Sequence, residues 1–141
     1  MANTRIHNDA AIAACNAVVD LVDTNGPGTI EIRTGTPPTN CGDADSGTLL
    51  GTLTLSATAF GNAADGTDKA TAAAATITGD TSADTDGTAG HFRAKDGNGK
   101  CIIQGDITAT SGGGDMELDD IVISTGDSID VTSWTFNIPE T

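Results

Sequence analysis

The chain has 141 residues, a length suited to one domain, and carries 20 Asp and Glu against six Lys and Arg, for a formal charge of −14. Phosphate recognition needs clustered cations, so nucleic acid and anionic membrane surfaces are excluded as partners. Three Phe, one Trp and no Tyr leave a core of Ala, Val, Leu and Ile, built from many small contacts or completed against other subunits.

The expected organisation is a single domain over 1–141, with an N-terminal arm and helix over 1–27 and a β domain over 28–141. The opening "MANTRIHNDAAIAACNAVVDLVD" lacks the long apolar run of a secretory signal. No segment reaches the ~18 apolar residues of a membrane helix. The chain is therefore expected to be made in a cytoplasm and to stay soluble. Arg5 and Ile6 read as a mobile arm. A helix follows, capped by Asn8 or Asp9, with Ile12, Cys15, Val19 and Val22 at helical spacing. Ala10, Ala14, Ala17, Val18 and Leu21 widen the apolar stripe to most of the circumference, which predicts a helix buried or packed against two partners. Asp23 to Gly28 stops it.

Beyond Gly28 the period changes to two. "TIEIR" places Ile30 and Ile32 inward and Glu31 and Arg33 outward. A Pro37-Pro38 loop follows, and "TLLGTLTLS" then puts Leu49, Gly51, Leu53 and Leu55 on one face. Gly61 to Ala75 is poorly patterned and reads as a loop leading to a short strand that ends near Thr78. "HFRAKDGNGKCIIQGDIT" is a hairpin, with Phe92 and Ala94 on one face and Cys101, Ile103 and Ile107 together on the return strand. "MEL" and "IVIS" are short strands. The last strand changes face at Thr132-Ser133, between Ile129 and Val131 on one side and Trp134, Phe136 and Ile138 on the other, where a bulge is expected. The predicted fold is mainly β: an N-terminal α-helix followed by a β-sandwich or partly open β-barrel of about seven to nine short antiparallel strands.

No constellation of residues carries chemistry. His7 and His91 lie far apart, and no nucleophile, base and orienting group can be assigned. No catalytic, cofactor or metal residue is named, and the protein is read as not an enzyme. Asp43 and Asp45 in "CGDADSG", and the loop Ser82 to Gly87, are weighed as calcium ligands. Calcium needs six to eight oxygens, so these aspartates read as turn residues accepting local backbone bonds. Arg93, Lys95 and Lys100 flank the hairpin turn.

Four segments carry a resemblance: Gly26 to Gly35 (GPGTIEIRTG), Pro37 to Asp45, Ser46 to Leu50 (SGTLL) and Gly87 to Arg93 (GTAGHFR). In this order, behind an alanine-rich helix, they resemble a family of tailed-bacteriophage virion structural proteins. The resemblance implies a capsid decoration, or cement, protein that binds the major capsid protein and copies of itself, with a trimer as one arrangement, on the outside of the virion. A tail or head–tail connector protein is the nearest alternative. A host-surface or glycan-binding module is the alternative of another class, although Trp134 reads as core. Cys15, Cys41 and Cys101 form no CxxC and are odd in number. In a cytoplasm they are expected to be reduced. Cys15 and Cys101 read as small core residues, and Cys41, in a polar loop, as the one exposed thiol. A contact or disulfide between subunits through one of the three is weighed for particles that reach an oxidising medium.

Overall fold

The computed structural model describes residues 4–141. The protein is mainly β, with one N-terminal helix, a six-stranded sheet curled into a half-barrel and a second sheet of three strands. Helix α1 spans Asn8–Val22, and the strands are β1 Thr29–Thr34, β2 Leu49–Thr54, β3 Ala64–Gly66, β4 Lys69–Ala73, β5 Gly87–Lys95, β6 Cys101–Ala109, β7 Met116–Leu118, β8 Val122–Ile123 and β9 Thr135–Pro139. The large sheet runs β2-β1-β5-β6-β7, with β8 beside the start of β5, and the small one runs β3-β4-β9. The strands do not form a clear sandwich, and they are not all antiparallel: β7 runs parallel to β6.

Helix α1 is capped by His7, whose Nδ1 accepts from the Asp9 N–H at 3.1 Å, rather than by Asn8 or Asp9. Its inner face is Ala11, Cys15, Val19 and Val22, packed on the small sheet. Two side-chain oxygens tie it to the loops beside that sheet: Asn16 accepts from the Ala63 N–H and Asp23 from the Ala59 N–H, both at 2.7 Å. The chain itself does not bury the helix all round, and the outer face stays free for the second partner of that expectation. Ala10, Ala13, Ala14 and Ala17 are exposed, and Leu21 is 49 % exposed. Alanine favours helix intrinsically, so its abundance here does not require burial within the chain. Ile6 is tied down, its N–H donating to the Glu140 carbonyl at 2.9 Å.

The segment read as a loop over Gly61 to Ala75 holds the β3–β4 hairpin, with Asp68 at positive φ in its turn. Its short side chains hide the alternation, yet Ala70 and Ala72 are fully buried. The bend at Thr132-Ser133 is a break rather than a bulge: Ile129 bridges Asp80, and β9 begins only at Thr135. One core joins the helix and both sheets. Trp134 belongs to it, edge-on to Phe60 and Phe92 at centroid distances of 5.0 and 5.4 Å.

Three register shifts decide which residues face inward. Ile32 pairs with Gly51 and Arg33 with Leu49, so Leu50 is the extra residue and takes the buried place expected of Leu49. Arg33 pairs with His91 and Thr34 with Ala89, which leaves Gly90 as the second. A Cβ on Gly90 would collide with the backbone of Gly35. Ala94 pairs with Ile103 and Lys95 with Cys101, so Ile102 is the third. This last shift turns Cys101 away from Ile103 onto the face of Lys95.

Candidate functional site

Strand β5 is buried on both faces over His91–Lys95. Phe92 and Ala94 face the core. His91, Arg93 and Lys95 face the other way, under the loop that joins β1 to β2. Cross-strand pairing lines up their neighbours: Glu31 opposes Arg93 on one side and Gln104 opposes it on the other.

The loop lies across this polar face because the face binds its carbonyls. Arg93 Nη2 donates to the Cys41 and Asp43 carbonyls at 2.5 and 3.0 Å. Gln104 Nε2 donates to the Pro38 carbonyl at 2.7 Å. The Gly35 carbonyl lies 3.0 Å from His91 Nδ1 and can only accept, which places the imidazole proton on Nδ1. Arg33 Nη1 reaches the Ser46 and Gly47 carbonyls, both at 3.4 Å.

Asp45 brings its carboxylate down into the centre. Its Oδ1 is 2.7 Å from Arg93 Nη1, and its Oδ2 is 2.7 Å from Lys95 Nζ and 3.2 Å from Arg33 Nη2. Glu31 closes the network, pairing with Arg33 Nε at 2.7 Å and Lys95 Nζ at 2.8 Å. Partial burial opposes ionisation of Asp45. The hydrogen bond and charge of Lys95, with the charges of Arg33 and Arg93, outweigh it and hold the carboxyl below the ordinary aspartate value. Arg93 is 1 % exposed, so its charge is affordable only because the carboxylate and two carbonyls surround it. His91 Nε2, Arg93 Nε and Gln104 Oε1 are buried on this face with no hydrogen-bond partner among the described residues.

A covalent bond completes the attachment. Cys41, in the loop, is joined to Cys101, at the start of β6, with Cα atoms 5.6 Å apart. Two expectations are corrected here. Cys101 is not a core residue, because the shift at Ile102 sets it on the outer face beside Lys95. Cys41 has no thiol left for a neighbouring subunit, because its partner lies within the same chain. Cys15 is the free cysteine, fully buried on α1, and burial pushes its thiol pKa up.

The acidic residues weighed as metal ligands have other work. Asp43 Oδ2 accepts from the Asn40 N–H at 2.9 Å, as a turn aspartate does, while Asp45 is an ion-pair centre rather than a solvated turn residue. Asp86 accepts from the N–H and hydroxyl of Thr125 at 2.7 and 2.9 Å. Among the described residues no group of three or more His, Cys, Asp or Glu is arranged to hold a metal ion.

Sequence reasoning missed the ion-pair face. Its one signal was the placement of three of the six basic residues, Arg33, Arg93 and Lys95, on strands beside an acidic loop. The chemistry the face supports is mechanical: it fixes a loop. Compared with known proteins, the chain matches no family model, no curated protein and no solved structure.

Proposed function

We propose that the protein is a structural component of a tailed-bacteriophage particle, binding the outside of the capsid shell as a decoration protein. The observation that carries the reading is the convergence of the four segments that resemble that family. Gly26 to Gly35 supplies β1, Pro37 to Asp45 the fastened loop, Ser46 to Leu50 the entry to β2, and Gly87 to Arg93 most of β5. β1 pairs with both β2 and β5, and Arg93 reaches back to Asp45, so the four form one unit. A covalently fastened, ion-paired unit suits a protein whose role is to hold a shape on a shell. The strongly acidic composition keeps such a protein from adhering to packaged DNA.

A decoration protein works by mass action, binding the assembled shell and stabilising it over its separated subunits. The partners in this reading are the major capsid protein and further copies of the chain. Mixing the purified protein with undecorated capsids tests it. Stoichiometric binding with a rise in the temperature of shell disruption is expected, and the absence of both overturns it. Micrographs showing a single ring of copies at one vertex would favour the connector reading instead. The glycan-binding alternative loses its aromatic platform, since Trp134 is 8 % exposed and held between two phenylalanines.

A further inference from the structure

Strand β7 ends the large sheet, with β6 on one side and, among the described residues, no strand on the other. Leu118 turns its carbonyl to β6, accepting from the Thr110 N–H at 3.0 Å. By the alternation of a strand, the N–H and C=O of Glu117 point to the free edge. A groove of about 740 Å³ is lined by Asp115 to Asp120, which include β7, and by Asp127 to Thr135. At ~3.4 Å of rise, ~4.8 Å between strands and ~10 Å of depth, it has room for about four to five extended residues.

The groove has one sign of charge. Asp115, Glu117, Asp119, Asp120, Asp127 and Asp130 line it, and no Lys, Arg or His does. Val122, 61 % exposed, is the most exposed large apolar side chain of the described residues and stands in its wall. Like charge bars a second copy of this edge from pairing with it, which is how free strands are protected from self-association. The same charge admits a strand of opposite sign.

We propose that the β7 edge is a docking surface for an extended basic segment of a partner protein, one that alternates Lys or Arg with apolar residues and adds a strand beside Glu117. The backbone of the segment pairs with the edge, its cations face the carboxylates and its apolar side chains meet Val122. This inference stands apart from the capsid reading and holds whatever particle or protein supplies the segment.

The test uses the whole oxidised chain and an end-capped octapeptide alternating Lys and Val. Two controls are the Asp–Val counterpart and the Lys–Val peptide with every backbone nitrogen methylated, which keeps the charge but has no N–H left to pair as a strand on either edge. Fluorescence of Trp134, the single tryptophan, which lines the groove, reads binding. Amide shifts at Met116 to Leu118 read its place. The Lys–Val peptide is expected to bind, at least about ten-fold more weakly in ~1 M salt, where the screening length falls to ~3 Å. The methylated peptide is expected to bind about ten-fold more weakly or worse, for the lost backbone bonds. An Asp119→Lys, Asp130→Lys variant, with its circular dichroism unchanged, is expected to lose most of the binding. No binding of the Lys–Val peptide, equal binding of the Asp–Val peptide, or equal binding of the methylated one overturns the proposal.

Discussion

Asp45 is the residue on which the polar face depends, because one carboxylate serves three cations. Replacing it with Asn keeps the shape and removes the charge, leaving Arg93 buried with only carbonyl partners. Full burial would make such a loss severe, but Asp45 is 35 % exposed and water screens part of it. Asp45→Asn is expected to lower unfolding stability by about 1–3 kcal/mol in urea titrations. The pH dependence follows from the same contacts. Asp45, Asp86, Asp106 and Glu117 all have folded pKa values below their ordinary ones. Their contribution is fully present above the unfolded carboxylate range near ~4 and is lost as pH falls through the lower folded values. Melting temperature is expected to drop steeply below about pH 4, and less steeply in Asp45→Asn. Cys15 gives a further prediction at this scale. Buried at 0 % exposure with a raised pKa, it should resist a thiol reagent in the native protein at neutral pH and react once the chain is unfolded.

The β1–β2 loop is the element in which local and long-range forces meet. Its prolines stiffen it, but the carbonyl contacts of Arg93, Gln104 and His91 and the Cys41–Cys101 bond hold it to β5 and β6. The cysteines are 60 positions apart, and a crosslink closing a loop of that length restricts the unfolded chain by about 4 kcal/mol. Reduction is therefore expected to lower stability by a few kcal/mol, read as a drop in the urea midpoint. Because the hydrogen bonds and ion pairs remain, the loop should stay in place, and the Asn40 and Asp43 N–H groups, bonded within it, should keep much of their protection. A second test of the attachment is Gly90→Ala. The added methyl meets the Gly35 backbone where the loop begins, and a cost of about 1–3 kcal/mol is expected. Alternation along β1 and β5 was legible because Ile30, Ile32, Phe92 and Ala94 contrast with their neighbours. The slips at Leu50, Gly90 and Ile102 were not, because a bulge is settled by pairing with another strand. With them went the place of Cys101.

For the whole molecule, composition and redox state bear on where it works. Disulfides persist in oxidising surroundings and are rare in a reducing cytoplasm. Protein isolated under reducing conditions is expected to carry three titratable thiols after denaturation, and protein exposed to an oxidising medium one, with a mass lower by two hydrogens. The sequence by itself determined a small, acidic, mainly β chain headed by a helix, since period, turn residues and charge are local properties that survive whatever the chain packs against. It also placed Trp134 in the core through its spacing from Phe136 and Ile138. The tertiary structure alone decided that β7 runs parallel to β6, that alanines form the β3–β4 hairpin, and that Cys41 meets Cys101. It alone placed Arg93 and Lys95, which flank the hairpin turn, in a buried network. These depend on segments distant along the chain closing over one another, and a buried cation reads in sequence like an exposed one until the carboxylate that pairs with it is brought into place.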